Sequence, residues 1–264
     1  MEKYNVYIKR KGGLQMSALL EAKDVTKIYA RAQRPSLNKV SFSVSKSEFI
    51  AIMGASGSGK TTLLNVLSTI DTPTGGSITI DGINIKNLTD SEAADFRRDK
   101  LGFIFQEYLL LDSLTIFENI AVPLTLQKLP PSKIEDMVRS LAESFGIGQQ
   151  LNKYPNELSG GQRQRASALR AIAKRPSILF ADEPTGALDS SSATDLLNTL
   201  KESNEELHTT ILMVTHDAYA ASFADRILIF KDGRIIQELF KQDDDRRTFY
   251  DSIAREVAKL DTER

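Results

Sequence analysis

Short, β-rich apolar runs dominate the first hundred positions of the chain, at 19–29, 40–44, 49–53, 77–80 and 101–105. Runs of this length read as strands. Between 115 and 175 the pattern turns helical. Thr115 with Glu118, and Ser132 with Glu135, fit the Ser/Thr-x-x-Glu box that opens a helix. Gly146 and Gly148 close the second of these helices. A third runs over 161–174, with Pro176 just past its end. Strand and helix then alternate, as strand 178–181, helix 193–206, strand 210–214 and helix 218–223. Two more strands, 226–230 and 234–239, flank Asp232-Gly233, a hairpin pair. Residues 247–260 have the spacing of an amphipathic helix.

Continuous apolar strands that alternate with helices predict an α/β fold around a buried, largely parallel sheet. The helical block then reads as an inserted subdomain, at about 107–175. The 264 residues suffice for a sizeable core. A net charge of −1 offers no overall basic excess for nucleic acid or an anionic membrane, so no nucleic-acid partner is expected. No apolar run approaches the ~18 residues of a membrane span. The absence of cysteine removes disulfides, thiolate metal sites and cysteine nucleophiles. His208 and His216 lie too far apart for a short zinc motif. Residues 1–15 carry Lys3, Lys9, Arg10 and Lys11 but no apolar segment. They read as a flexible extension rather than a secretory signal, with Met16 as the expected functional start and the chain expected to stay in the cytosol.

The most specific chemistry lies at Gly54-Ala55-Ser56-Gly57-Ser58-Gly59-Lys60-Thr61. It fits G-x-x-x-x-G-K-[ST], follows an apolar strand and opens a helical run that begins Thr61-Thr62. Glycines let backbone N–H groups turn inward around phosphate oxygens, and the helix N-terminus adds a favourable dipole. Lys60 is placed to reach the β- and γ-phosphates, and the Thr61 hydroxyl to meet Mg²⁺. The expected ligands are ATP and Mg²⁺. Strand 178–181 runs into Asp182-Glu183, an acid pair at the carboxyl edge of the sheet, where α/β folds bind ligands. Asp182 suits the metal, and Glu183 suits a general base for the attacking water. Alone, such a pair is also an ordinary exit from a strand.

Leu158-Ser159-Gly160-Gly161-Gln162 makes a second anion-binding helix start, with serine at the cap. One ATP does not need two such cradles from one chain. Here the sequence resembles the ABC ATPases, whose signature these five residues match letter for letter. The resemblance covers roughly 19–240, with the motifs in the family's order. It implies an ABC-type P-loop core with a mixed sheet, an N-terminal antiparallel β-subdomain and an inserted helical signature subdomain, together spanning 16–245, and a C-terminal helical tail at 246–264. It also implies that Gln106 senses Mg²⁺ and the attacking water, that Ala187-Leu188-Asp189 crosses a dimer interface, that His216 contacts the γ-phosphate and that Tyr29 stacks on adenine. Read singly, Tyr29 is half-buried packing, Gln106 a solvated side chain, His216 an ordinary surface or core residue and Asp189 a helix cap. One copy of each motif implies that Ser159–Gly161 complete the site of a second copy, in a two-fold dimer.

A soluble translation-type ABC protein would carry two ATPase cores, and a chromosome-type ATPase a long coiled coil between the phosphate loop and the signature. Neither fits 264 residues without sustained heptads at 62–158. A subunit that powers a separate permease remains, at the cytoplasmic face of the membrane. Residues 108–126, unusually apolar for a surface segment, are the expected docking groove. Met53 to Lys60, Leu110-Leu111-Asp112-Ser113-Leu114-Thr115, Tyr154-Pro155-Asn156-Glu157, residues 180–190 and Arg247-Thr248-Phe249-Tyr250 are similar to the ATPases of bacitracin-type peptide-resistance transporters. That resemblance implies a large permease and a sensor histidine kinase reached through it. The lipoprotein-release, macrolide-export and cell-division ATPases share most of these motifs. Ser47 stands where many relatives have glycine, at a cost of ~1 kcal/mol if its turn requires positive φ.

Overall fold

The computed structural model describes residues 18–30 and 33–262; the extension predicted at 1–15 lies outside them. The described residues open with strands β1 (Ala18–Lys27), β2 (Leu37–Ser45) and β3 (Phe49–Met53), then helix α1 (Lys60–Leu67). Strands β4 (Gly75–Ile80) and β5 (Ile83–Asn84) lead to α2 (Asp90–Lys100) and β6 (Leu101–Ile104). Helices α3 (Ile116–Leu126), α4 (Pro131–Ser144) and α5 (Gly160–Ile172) follow. The alternating part comprises β7 (Ile178–Asp182), α6 (Ser190–Glu206), β8 (Thr210–Thr215), α7 (Ala218–Ala221), β9 (Arg226–Lys231), β10 (Arg234–Phe240) and α8 (Arg246–Thr262).

Two sheets form. One is antiparallel, in the order β2-β1-β4-β5. The other has the order β10-β9-β3-β8-β7-β6; its strands run parallel except β10, which returns antiparallel at one edge. The predicted α/β fold with a mixed sheet is therefore present. Alternation along β3 shows how the layers are held. Ile50 and Ile52 face one way, into a core shared with Leu20, Val25 and Ile78 of the antiparallel sheet and Leu63 and Leu67 of α1. Phe49, Ala51 and Met53 face the other way, into a core closed by α5, α6 and α8 through Ile172, Leu196 and Phe249. A period of two thus serves two layers from one buried strand. Helices α3, α4 and α5 build a third core of their own around Ile120, Val138 and Leu169. Each large apolar side chain so buried contributes about 1.5–3 kcal/mol.

Several local expectations hold. Thr115 caps α3, with Glu118 returning the bond to its backbone. Asp232 and Gly233, at φ 49° and 74°, make the two-residue turn between β9 and β10. Ser47 does sit at φ 60°. One expectation fails: Ser132 and Glu135 are not a capping box. Helix α4 begins two residues earlier than that box requires, at Pro131, after Pro130 and without a side-chain cap. A proline at the first helical position has its φ preset and no N–H to satisfy, so the serine is not needed as a cap. Glu135 instead pairs with Arg139 one turn on, at 3.0 Å. Helix α2 went unpredicted because it has no apolar stripe; only Phe96 is buried. It rests on the Thr89–Glu92 capping box.

Candidate active site

The carboxyl ends of β3, β7, β8 and β9 converge on a cleft of about 970 Å³. Its floor is the predicted phosphate loop: Gly54, Ala55, Ser56, Gly57, Ser58, Gly59, Lys60, Thr61 and Thr62 all line it. Two glycines explain the loop's shape. A Cβ on Gly54 would sit 2.1 Å from the Phe230 carbonyl oxygen. Gly59 holds φ 106° and packs against the Ser36 carbonyl. Gly59 is also the N-cap of α1 and gives it no side-chain cap, so the helix presents its first N–H groups to the cleft. Lys60 is 7% exposed, and its Nζ donates to the carbonyls of Gly54 (2.8 Å) and Ala55 (3.0 Å). Burial lowers its pKa, and the charges of Glu183 and Asp182 act the other way.

The acid pair lies opposite Lys60. Burial, reinforced by the charge of Glu183, raises the Asp182 pKa, against a hydrogen bond from Thr61 and the charge of Lys60. Asp182 Oδ1 is buried with no partner. An orphaned carboxylate oxygen beside a threonine hydroxyl fits a hard divalent cation. Among the described residues no cluster of three His, Asp or Glu side chains could hold a metal alone. A cation bound here would complete its shell with other oxygens, such as water or the phosphates of a nucleotide. Glu183 leaves β7 at φ 45°, a strained backbone for a non-glycine residue, and its N–H is held by the Val214 carbonyl at 2.9 Å. Its Oε2 accepts from His216 Nδ1 at 2.9 Å and from the His216 N–H at 3.3 Å. Gln106, at the end of β6, lines the same cleft, as do Glu183 and His216. A Cβ added to Gly186 would lie 3.1 Å from Gln106 Nε2, so this amide packs over the turn after Glu183.

Other predicted residues stand elsewhere. Ser159 caps α5 in a reciprocal box with Gln162. Ser159, Gly160, Gly161 and Gln162 do not line the cleft. Asp189 caps α6 through the N–H groups of Ser192 and Ser191, and these bonds, with those from the two serine hydroxyls, hold its carboxyl well below the usual carboxylate range. Tyr29 also stands off the cleft; its hydroxyl donates to Asp71 at 2.9 Å, and Lys27 lies 4.9 Å from its ring centre. Several wall residues have no sequence motif behind them: Ser36, Ile229, Phe230 and Lys231, and Val257 of α8. Only packing brings the tail to the cleft.

One phosphate cradle, an acid pair facing its lysine and a second capped glycine turn outside the cleft form a specific combination. A family model described as ABC transporter matches residues 37–186. The chain belongs to the ABC transporter family. As an ABC ATPase it binds and hydrolyses ATP in the service of transport. It is 52% identical to the bacitracin export ATP-binding protein BceA of Halalkalibacterium halodurans over 240 residues, 90% of this chain and 95% of that one. It is 47% identical to the macrolide export ATP-binding/permease protein MacB of Aggregatibacter actinomycetemcomitans, covering 78% of this chain and 32% of the relative. Among solved structures, the dimeric post-hydrolysis state of the ATP-binding cassette MJ0796 bound to ADP and phosphate superposes with a TM-score of 0.77. The two are 38% identical, over 84% of this chain and 98% of that one.

Proposed function

We propose that this ABC ATPase works as a two-fold dimer powering a separate permease that confers resistance to antimicrobial peptides, by export or by protecting their target. The observation that carries this reading is the 52% identity to BceA across nearly the whole of both chains. Lipoprotein-release, macrolide-export and cell-division ATPases are the alternative, and the likeness to MacB keeps macrolide export in view. The subunit would sit at the cytoplasmic face of the membrane and reach a sensor histidine kinase only through its permease. Leu109, Leu111 and Leu126 are about half exposed, whereas Ile116, Ile120 and Leu124 of the same stretch are buried. The exposed leucines are the part of 108–126 open to a permease.

In each site, N–H groups of the phosphate loop and Lys60 hold the β- and γ-phosphates, and Tyr29 stacks on adenine. Thr61, Asp182 and Gln106 are the residues that would hold Mg²⁺, which supplies charge neutralisation on the phosphate oxygens. Glu183 accepts the proton of the attacking water, and Gln106 orients that water. His216, held by Glu183, turns to the γ-phosphate. The Ser159–Gln162 turn of the second copy closes the site, and Asp189 lies at the crossing between copies. Ser159, Gly160, Gly161 and Gln162 lie outside the cleft of their own chain, which supports a role for them in the site of a second copy. The domain limits follow the same scheme: a core at 16–245, a helical insert at about 107–175 and a tail at 246–264.

The test is recovery of the tagged Glu183→Gln protein with ATP from detergent-solubilised native membranes. A large multi-span permease with an extracellular domain, co-purified and required for peptide resistance, is the expected result. A smaller permease with another partner set would move the assignment to lipoprotein release or cell division. No membrane partner at all would refute it.

A further inference from the structure

Gln164 is a polar side chain with no exposure, one turn into the signature helix α5. Its Nε2 donates to two backbone carbonyls from different segments: Phe105, immediately before Gln106, at 3.1 Å, and Pro184, immediately after Glu183, at 2.7 Å. Both N–H groups of one amide are thereby spent on the two residues that flank the hydrolytic pair. Its Oε1 is buried without a partner. Burying an amide with one end unsatisfied costs stability, and an apolar residue of equal length would avoid that cost. The same face of α5 holds the next stretch: Ser167 donates to the Tyr108 carbonyl at 2.8 Å, and Arg170 to Leu109 at 2.6 Å. The segment carrying Gln106 is therefore bonded to α5 rather than free to move past it.

We propose that Gln164 is a positioning residue for ATP hydrolysis. It locks the backbone before Gln106 to the backbone after Glu183, and it transmits to both the position of the α5 N-terminus. That N-terminus carries Ser159 to Gln162, so nucleotide held by the second copy bears directly on the hydrolytic pair of this one. The inference rests on the roles proposed above for Glu183, Gln106 and the signature turn. Arrangement of this kind acts on turnover rather than on nucleotide affinity, because Gln164 contacts neither the cleft nor the phosphate loop.

The test compares Gln164→Met, equal in length but without a donor, and Gln164→Glu with the wild-type dimer. For Gln164→Met the expected result is a kcat lower by about tenfold to a hundredfold, with mant-ATP affinity within about twofold. ATP-driven dimerisation, measured in the Glu183→Gln background, is expected to be unchanged. Gln164→Glu adds a readout that packing alone would not move. A carboxylate cannot donate to the two carbonyls but a carboxylic acid can donate to one, so its activity relative to wild type should rise as pH falls. Should Gln164→Met fail to fold, Gln164→Asn keeps the amide but withdraws it by one methylene, and the same loss of kcat at constant affinity is expected. Wild-type kcat in the Met or Asn variant overturns the proposal, as does a flat relative pH profile for Gln164→Glu. A loss of kcat that only tracks lost dimer also overturns it. If Glu183→Gln itself retains turnover, the assignment of the base fails and this proposal fails with it. A slow Glu183→Gln beside a fast Gln164→Met sinks the proposal alone.

Discussion

The phosphate loop contains a matched pair of glycines that separates crowding from backbone strain. Gly54 has an ordinary φ, but a Cβ there would stand 2.1 Å from the Phe230 carbonyl oxygen. Contacts of that kind need about 3.5 Å, so the two backbones must part by more than 1 Å. They cannot do so cheaply. Met53, the preceding residue, is in register with Ile229, the neighbour of Phe230, in the parallel pair of β3 and β9. Parting them strains that ladder and the buried side chains beneath it. Overpacking costs typically 1–3 kcal/mol and occasionally more, and a backbone-to-backbone clash belongs at the upper end. Gly57 is the opposite case, with φ 76° and nothing within 4 Å of its would-be Cβ. Gly57→Ala meets only the left-handed backbone penalty, ~1–2 kcal/mol. The expectation is that Gly54→Ala loses about 3 kcal/mol, or ~6–12 °C in Tm at this chain length, and most of its ATP binding. Gly57→Ala should lose about half as much stability and keep measurable binding. Thermal unfolding and mant-ATP titration read both quantities. A Gly54→Ala protein within about 1 kcal/mol of wild type that binds ATP normally would refute the crowding argument.

Three further outcomes follow from the same structure. Burial and Glu183 raise the folded-state pKa of Asp182. Its ionisation therefore disfavours the nucleotide-free fold, with no cost below the ordinary aspartate range and the full cost once pH passes the raised pKa; Asp182→Asn should gain stability over wild type as pH climbs through that window while losing ATPase activity, and equal Tm values at every pH would contradict it. Ser47→Gly removes the strain of φ 60° but also the Oγ bond to the His208 carbonyl, so a net gain of ~0.5–1 kcal/mol is expected in denaturant titration, and a loss would mean that the hydroxyl outweighs the backbone. Phe249 anchors α8 at 1% exposure; Phe249→Ala should cost about 3–5 kcal/mol, and a cost under 1 kcal/mol would show the tail to be dispensable for the fold.

Much of the molecule was legible in the chain because local chemistry specifies it. The phosphate loop, the Thr115 and Ser159 caps and the Asp232-Gly233 turn are each set by residues a few positions apart, so their spacing in sequence is their geometry. The strands of the parallel sheet were legible because buried parallel strands are apolar throughout. Where local signals compete, the reading failed. Pro131 overrode Ser132 as the start of α4, and α2, which buries only Phe96, has no apolar stripe to announce it.

Other features arise only when distant segments meet. Nothing near Glu183 in the chain shows that its carboxylate faces His216, 33 positions on, or that its backbone is strained at φ 45°. Asp182 becomes a raised, half-orphaned carboxyl only because β7 buries it beside Glu183. Val257 reaches the cleft because α8 packs under the sheet, and Gln164 acquires its two carbonyls because α5 crosses the ends of β6 and β7. The sequence by itself determined which chemical groups the protein carries and the local turns that present them, since those depend on neighbours in the chain. Burial, charge coupling and long-range hydrogen bonds depend on neighbours in space, and these the tertiary structure alone decided.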